Sequence, residues 1–460
     1  MGTDTVTSNV SLNWGKVDLS KVPNVVTKPP GPKSREVHNR TSKYMRGFSG
    51  QVKLFSVAFE SGKGCTLTDV DGNKYIDFSS GIYVTTLGHC HPKVSEAIQK
   101  WAGKLMNAHD FSTPVKMELM EKMAEVLPSN LKGFQLYDAG TAAVEAGLRV
   151  ARAATGKHEF ISCFMDFHGK TFGAVSLAQI RSTCYGPTRA SGFHMVPRPD
   201  PYRPIWTKAN GEIDTDAYIN FFGKYIDEGT AGQACAFVLE PIQGWAGSIF
   251  PPDDFFPKLR KLCDERGLLL FADEVLTCMG RTGKFCAMEH WNTRTDITTL
   301  GKGFGNGFPV TAVCVDENIA DAVENVSASS SYGGNPMACA AALTCIEVIE
   351  KENLLEHAIA LGEHCLGIME QMKERHPIIG DVRCKGALMG IELVKDKATK
   401  EPFAEAGKFV YQHAFGNGLA WIPACHILRM SPPIVMDFDT ATKGLELIEE
   451  AIDAAEKNLL

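Results

Sequence analysis

The 460-residue sequence contains no apolar run approaching the roughly 18 residues that a membrane span requires, so no transmembrane segment is expected. It also lacks a basic surplus. Lys and Arg number 47 against 54 Asp and Glu, a net charge of -7, which removes the electrostatic footprint of a nucleic-acid binder. None of the 14 cysteines forms a Cys-x-x-Cys pair. They occur singly, several within apolar stretches (Cys235, Cys263, Cys314, Cys339, Cys345), as small buried hydrophobes in a reducing compartment rather than as a disulfide framework. The N-terminus shows no basic-then-apolar order of a secretory signal, and Val6 stands where myristoylation requires Ser or Thr. A soluble, cytoplasmic chain is expected. At 44% hydrophobic and 22% charged residues the composition is that of a folded globular protein, and the length favours two domains, or one large domain with a satellite.

The first segment, with Pro23, Pro29, Pro30 and Pro32, reads as an extended arm that is ordered by docking. CTLTDVDGNKYIDF alternates apolar and polar residues around Asp71-Gly72 and predicts a hairpin. Beyond it, strand-like runs alternate with helical ones: FQLY at 134–137 and then AAVEAGLRVARAA, EFISCF at 159–164, CAFVLE at 235–240, LLLFADEV at 268–275, ITTLGK at 297–302 and PVTAVCV at 309–315. This is the βαβ rhythm of a mostly parallel sheet covered on both faces. Ligands bind beyond the carboxyl ends of such strands, which marks the polar residues ending the runs: Asp138, Glu240, Asp273 and Lys302. After Asn335-Pro336 a long helical pattern leads into a second, smaller α+β domain.

A lysine is ordinarily a solvated surface residue. Beside an apolar strand end, however, Lys302 is partly desolvated and its amine can form a Schiff base with a carbonyl cofactor, and the glycines at 303, 305 and 307 let a bulky ligand approach. Asp273 reads either as a cap or salt-bridge partner, or as the carboxylate that keeps the pyridine nitrogen of pyridoxal phosphate protonated. Ala139-Gly140-Thr141 lies at a strand-to-helix turn, where free N–H groups and the helix dipole bind phosphate.

These pieces stand in order with DGNKYIDFSSGI, GHCHP, FHGKT, LEPIQG, GRTGKF, SYGGNP, VRCKGALMGIEL and LRMSPP. Together they resemble the class III (subgroup II) pyridoxal-phosphate aminotransferases of fold type I, the family of the 4-aminobutyrate, ornithine and acetylornithine aminotransferases. The resemblance runs from about Gly64 to the C-terminal helix. It implies an α/β fold: an N-terminal arm and joining segment (1–80), a large pyridoxal-phosphate domain (81–345) with a mostly parallel seven-stranded sheet between helices, and a small α+β domain (346–460). A homodimer with sites at its interface is implied as well.

Residue by residue, the resemblance implies that Lys302 forms the Schiff base and carries the substrate proton, and that Asp273 pairs with the pyridine N–H. Gly140 and Thr141 would hold the phosphate, Phe167 would stack on the ring, Val275 would pack on its other face, and His168 would join the cofactor site. Ser331, where the family usually has Thr, would reach the phosphate of the neighbouring subunit. Arg429 would bind a substrate carboxylate, Glu240 would neutralise Arg429 when a substrate lacks one, and Lys170 would stand where an arginine takes a distal carboxylate. The implied partners are an amine or amino-acid donor, an amino sugar included, and a 2-oxo acid acceptor.

Several positions depart from the family pattern: Asp138-Ala139 for Asn-Ser, Ala142 for Glu, Lys170 for Arg, and Leu276 for the glutamine that contacts the cofactor's phenolic oxygen. A lysine offers a point charge where the guanidinium offers a fork, so the substrate side is expected to be altered and the cofactor side kept. The runner-up is an epimerase or isomerase, since HPIIGDVRCKGALMGIELVKDKATKEP and PDPYRP are similar to branched-chain amino-acid 2-epimerases of the same family. An amino-sugar enzyme of antibiotic biosynthesis, descended from the same family, is the third reading, and a non-catalytic binder on this fold has Lys302 and Asp273 against it. No metal is expected, because His89-Cys90-His91 has no further ligands at a suitable spacing, and neither GKGFGNG nor FHGKT satisfies phosphate-loop spacing.

Overall fold

Apolar runs of four to seven residues, most of them closed by a polar one, become the strands of a single sheet in the computed structural model, which describes residues 10–178, 189–420 and 422–460. The first nine residues of the expected arm lie outside the described residues. Internal packing divides the chain into two units, Glu96–Ile346 and the combination of Met1–Ser95 with Glu347–Leu460.

In the first of these, the seven strands are Leu131–Tyr137 (β1), Glu159–Cys163 (β2), Phe193–Val196 (β3), Ala234–Leu239 (β4), Leu269–Asp273 (β5), Ile297–Leu300 (β6) and Thr311–Asp316 (β7). Their order is β1-β7-β6-β5-β4-β2-β3. β2 to β6 pair in parallel, whereas β7 runs antiparallel to both β6 and β1. ACAFVL of β4 is buried at every position, the continuous apolar run that a sheet covered on both faces requires. The edge strand β3, FHMV, is only half-buried and was not among the runs legible by hydrophobicity.

Helix α1, Gly140–Thr155, lies on this sheet through its small residues. A Cβ at Gly147 would stand 2.5 Å from the ring of the buried Phe271, so the glycine sets how closely helix and sheet approach. Apolar side chains from α1, β1, β2, β4, β5, β6 and β7 form one cluster.

The other unit holds the predicted hairpin. Thr66–Asp69 pairs antiparallel with Lys74–Asp77 around Gly72, whose φ of +91° is open to glycine without strain. The arm differs from expectation in carrying helices at Val10–Gly15, Pro32–Thr41 and Gly50–Leu54. The physical reason is local. Pro32 opens its helix where no N–H is needed, and the carboxylate of Asp71 in the hairpin turn accepts the N–H groups of Lys33 and Ser34, each at 2.8 Å. The helical pattern after Pro336 is two helices, Pro336–Lys351 and Leu354–Arg375, separated at Asn353 with φ +55°. An antiparallel sheet follows, built from Ile379–Lys385, Leu388–Leu393, Ile427–Met430 and Ile422–Ala424, with the helices Ala404–Gly416 and Phe438–Leu459.

Seating α1 on the sheet through a glycine has a measurable consequence. Gly147→Ala forces the Phe271 ring to shift and should lower stability by about 1–3 kcal/mol, read as a lowered urea midpoint. An unchanged midpoint would show that the helix is not seated through this position.

Candidate active site

Where each strand stops decides which side chain reaches the edge. β5 ends on Asp273, β4 stops just before Glu240, β6 stops two residues before Lys302, and β1 stops before Asp138. The antiparallel β7 starts at the same edge, with Thr311 opposite Tyr137 and its hydroxyl donating to the Ala139 carbonyl at 3.2 Å. Lys302 has a φ of +45°, a left-handed conformation that costs a non-glycine residue of order 1–3 kcal/mol and collects at functional sites. Val275 links the pieces. A Cβ at either Gly140 or Gly301 would come within 3.0 Å of its Cγ1, so both glycines make room for that side chain between the start of α1 and the lysine loop.

Asp273 is buried, and its oxygens are divided. Oδ1 accepts the Thr299 hydroxyl at 2.8 Å and the Val275 N–H at 3.1 Å, while Oδ2 lies 2.8 Å from His168 Nδ1. Behind His168 stands Asp166, whose oxygens accept the Cys163 N–H at 2.9 Å and the Gln243 amide at 2.8 Å. Burial works against charge on His168, yet the facing carboxylates of Asp166 and Asp273 outweigh it and hold the imidazole up at about 10. Glu240 accepts the N–H groups of Phe167 at 2.8 Å and Gly244 at 3.0 Å. Burial first, and then the Asp166 charge, push its carboxyl up to about 8.

At the phosphate-type turn, α1 begins without a capping side chain, so its first N–H groups are available to an anion. Thr141 Oγ1 lies 2.6 Å from Thr171 Oγ1 and also accepts the Thr171 N–H at 3.2 Å. Glu145 accepts from the Thr171 hydroxyl at 2.6 Å and from the N–H groups of Gly173 and Ala174 at 2.8 and 3.0 Å. The FHGKT segment is thus tied to the turn one helical turn beyond Ala142, the position where the family's usual Glu is absent. Gly169, at φ +127°, permits it, because a side chain there would strike Thr141.

Gly140, Thr141, Phe167, His168, Glu240, Asp273, Val275 and Lys302 all belong to the Glu96–Ile346 unit. Phe167 is half-buried with its ring 5.6 Å from that of Trp245. Lys170 and Asp138 are exposed, and Leu276 is buried against Gly244. Ser331 is exposed, and its carbonyl accepts from the Asn107 amide at 3.1 Å. Arg429 lies in the other unit, almost fully buried in Ile427–Met430. His89 and His91, also in that unit, face separate partners: Asp77 at 2.8 Å and the Ser11 hydroxyl at 2.9 Å. Reasoning from sequence missed Asp166, Thr171, Glu145, Gln243 and Thr299. A signal for Asp166 was present, as a lone acid inside the apolar FISCFMDF at 160–167.

Residues 48–452 match the family described as aminotransferase class III. The chain belongs to the class III aminotransferases. It is 35% identical over 452 residues to an alanine/serine racemase from Pyrococcus horikoshii, covering 95% of this chain and 94% of that one. It is 34% identical over 402 residues to the acetylornithine aminotransferase of Methanopyrus kandleri, covering 87% and 95%. A PLP-bound amine transaminase from an uncultivated Pseudomonas species superposes with a TM-score of 0.81 at 28% identity, over 90% of this chain and 97% of that one. Class III aminotransferases depend on pyridoxal phosphate, and the chain is such an enzyme. Its residues suit the cofactor. An uncapped helix start faces the same edge as a buried carboxylate and a lysine, and two glycines there leave space that any Cβ would take from Val275. No helix among the described residues is long and apolar enough to cross a membrane.

Two outcomes follow for the class III site. A hydrogen bond to a charged group contributes about 1.5–3 kcal/mol, so Glu145→Ala should weaken pyridoxal-phosphate retention roughly tenfold or more in a dialysis assay. Unchanged retention would show that the FHGKT segment needs no tether. The second outcome concerns pH. His168 is raised from 6.5 to about 10, so the stability it adds is complete below pH 6.5 and is lost as pH rises through 10. Glu240 is raised from 4.5 to about 8, so burying it becomes increasingly unfavourable as pH rises from 4.5 through 8. The melting temperature of the cofactor-free protein should therefore fall as pH rises through the neutral range into the alkaline, and a rising one would contradict both assignments.

Proposed function

We propose that this enzyme moves an amino group from an amino acid or amine to a 2-oxo acid, with Lys302 as the Schiff-base lysine and proton carrier. The observation that carries this reading is the convergence of Lys302, Asp273 and the uncapped start of α1 at one sheet edge, with Val275 packed between. Bound pyridoxal phosphate supplies an electron sink for the electrons of the α-carbon bond that breaks. Asp273 would hold the proton of the pyridine nitrogen, Gly140 and Thr141 would offer N–H groups to the phosphate, and Phe167 and Val275 would confine the ring. The Lys302 amine takes a proton from one carbon and returns it to another.

Amino transfer alternates two dissimilar substrates, which calls for a binding group able to change its charge. Glu240, raised to about 8, is such a group at neutral pH, and the family resemblance assigns Arg429 to a substrate carboxylate. Racemisation is the second reading, favoured by the likeness to the alanine/serine racemase. Lys302 would then return the proton to the carbon it came from. Lys302→Ala should lower either activity by more than about 1000-fold in a protein that still folds. A donor that yields a new amino acid only when a 2-oxo acid is added supports transfer. Exchange of the α-proton for solvent deuterium with loss of chirality, and no need of an oxo acid, would establish racemisation instead.

A homodimer is part of this proposal. Ser331 and Asn107 are joined, and close to them in the chain stand the exposed apolar residues Met106, Phe111 and Tyr332, at 67, 80 and 67% exposure. Covering such side chains favours association, and it would bring Ser331 to the phosphate of a second copy. Sedimentation should give a dimer, and Ser331→Ala should weaken cofactor retention without changing the reaction. A fully active monomer would contradict the assignment.

A further inference from the structure

His168 has no solvent-exposed side-chain surface and lies between two carboxylates. Nδ1 is 2.8 Å from Asp273 Oδ2. Nε2 is 3.7 Å from Asp166 Oδ2, an ion-pair distance, and makes no hydrogen bond. Neither neutral tautomer suits this place. A proton on Nδ1 alone turns the Nε2 lone pair toward Asp166, and a proton on Nε2 alone sets the Nδ1 lone pair against Asp273 at 2.8 Å.

Moving a proton onto either aspartate is opposed by the donors already in place. Asp166 accepts from the Cys163 N–H and the Gln243 amide, and Asp273 accepts from the Thr299 hydroxyl and the Val275 N–H. Donors of this kind favour the carboxylate. Only the ring protonated on both nitrogens gives each carboxylate an attractive partner.

We propose that His168 is a standing imidazolium clamped between Asp166 and Asp273, and that Asp166 is therefore a positioning residue for the cofactor site, acting on Asp273 through His168. Asp273 is then held by a charged donor, a bond roughly twice as strong as a neutral one. Two carboxylates against one imidazolium leave a single negative charge in a closed pocket, and a protonated pyridine nitrogen completes it. Glu240, near the same charges, is mostly the neutral acid below its value of about 8 and adds little to that count. The role toward the cofactor rests on the function proposed above, whereas the state of His168 concerns this chain alone.

The experiment is a long-range 1H–15N spectrum of protein labelled with 15N-histidine, cofactor-free and loaded with pyridoxal phosphate, at neutral pH. The His168 signals are identified by their loss in His168→Gln. Both ring nitrogens should show imidazolium shifts in both forms. In Asp166→Asn the ring should become the neutral Nδ1–H tautomer, and retention of pyridoxamine phosphate should weaken about tenfold, the equivalent of one unit of proton affinity. A neutral ring in the unaltered protein overturns the proposal, whether or not Asp166→Asn folds. An imidazolium that persists in a folded Asp166→Asn overturns the role of Asp166. An imidazolium in an unaltered protein that takes up no pyridoxal phosphate supports the histidine assignment and overturns the functional reading of Asp273.

Discussion

A carboxylate buried at the end of a parallel strand is the constraint around which the Glu96–Ile346 unit is arranged. Removing a charge from water costs several kcal/mol unless a partner is supplied in good geometry. Asp273 receives three partners from three directions: the Thr299 hydroxyl from the neighbouring strand, the Val275 N–H from its own turn, and His168 from the loop after β2. Each depends on the register of a different element. Parallel pairing matters because it brings the ends of β4, β5 and β6 to one edge, and with them Glu240, Asp273 and Lys302. A slip of one residue in β6 would turn Thr299 away from Asp273 and carry Lys302 with it.

Much of this was legible in the residues. Strand ends are marked by an apolar run meeting a polar side chain, and that rule picks out Asp138, Glu240, Asp273 and Lys302 from the sequence alone. The hairpin at Asp71-Gly72 was legible for the same local reason. What escaped was whatever depends on a distant partner. The half-buried β3 has no strong alternation of its own and owes its conformation to pairing with β2. The arm's helix is held by Asp71, 38 residues from Lys33. Glu145 meets its partners, Thr171 and the N–H groups of Gly173 and Ala174, only when the loop after β2 is laid against α1, and Asp166, although a lone acid in an apolar stretch, is set against His168 by the same loop.

The departures from the family pattern fall in different surroundings. Lys170 and Asp138 are exposed, and Leu276 packs against Gly244, which is itself fixed by Glu240. Glu145, one helical turn beyond Ala142, ties the FHGKT segment to α1. In the proposed function, the residues common to transfer and racemisation lie in one unit, and the choice between the two falls to groups that meet the substrate. This is consistent with a chain about equally similar to a racemase and to an aminotransferase.

The placement of Lys302 at the end of β6, in a left-handed conformation beside Val275, is the central structural claim. Borohydride reduction of the protein incubated with pyridoxal phosphate, followed by peptide mass spectrometry, tests it most directly. A single stable adduct on Lys302, reduced in yield when Asp273 is replaced by alanine, is the predicted result. An adduct on another lysine, or none at all in a folded protein, would contradict it.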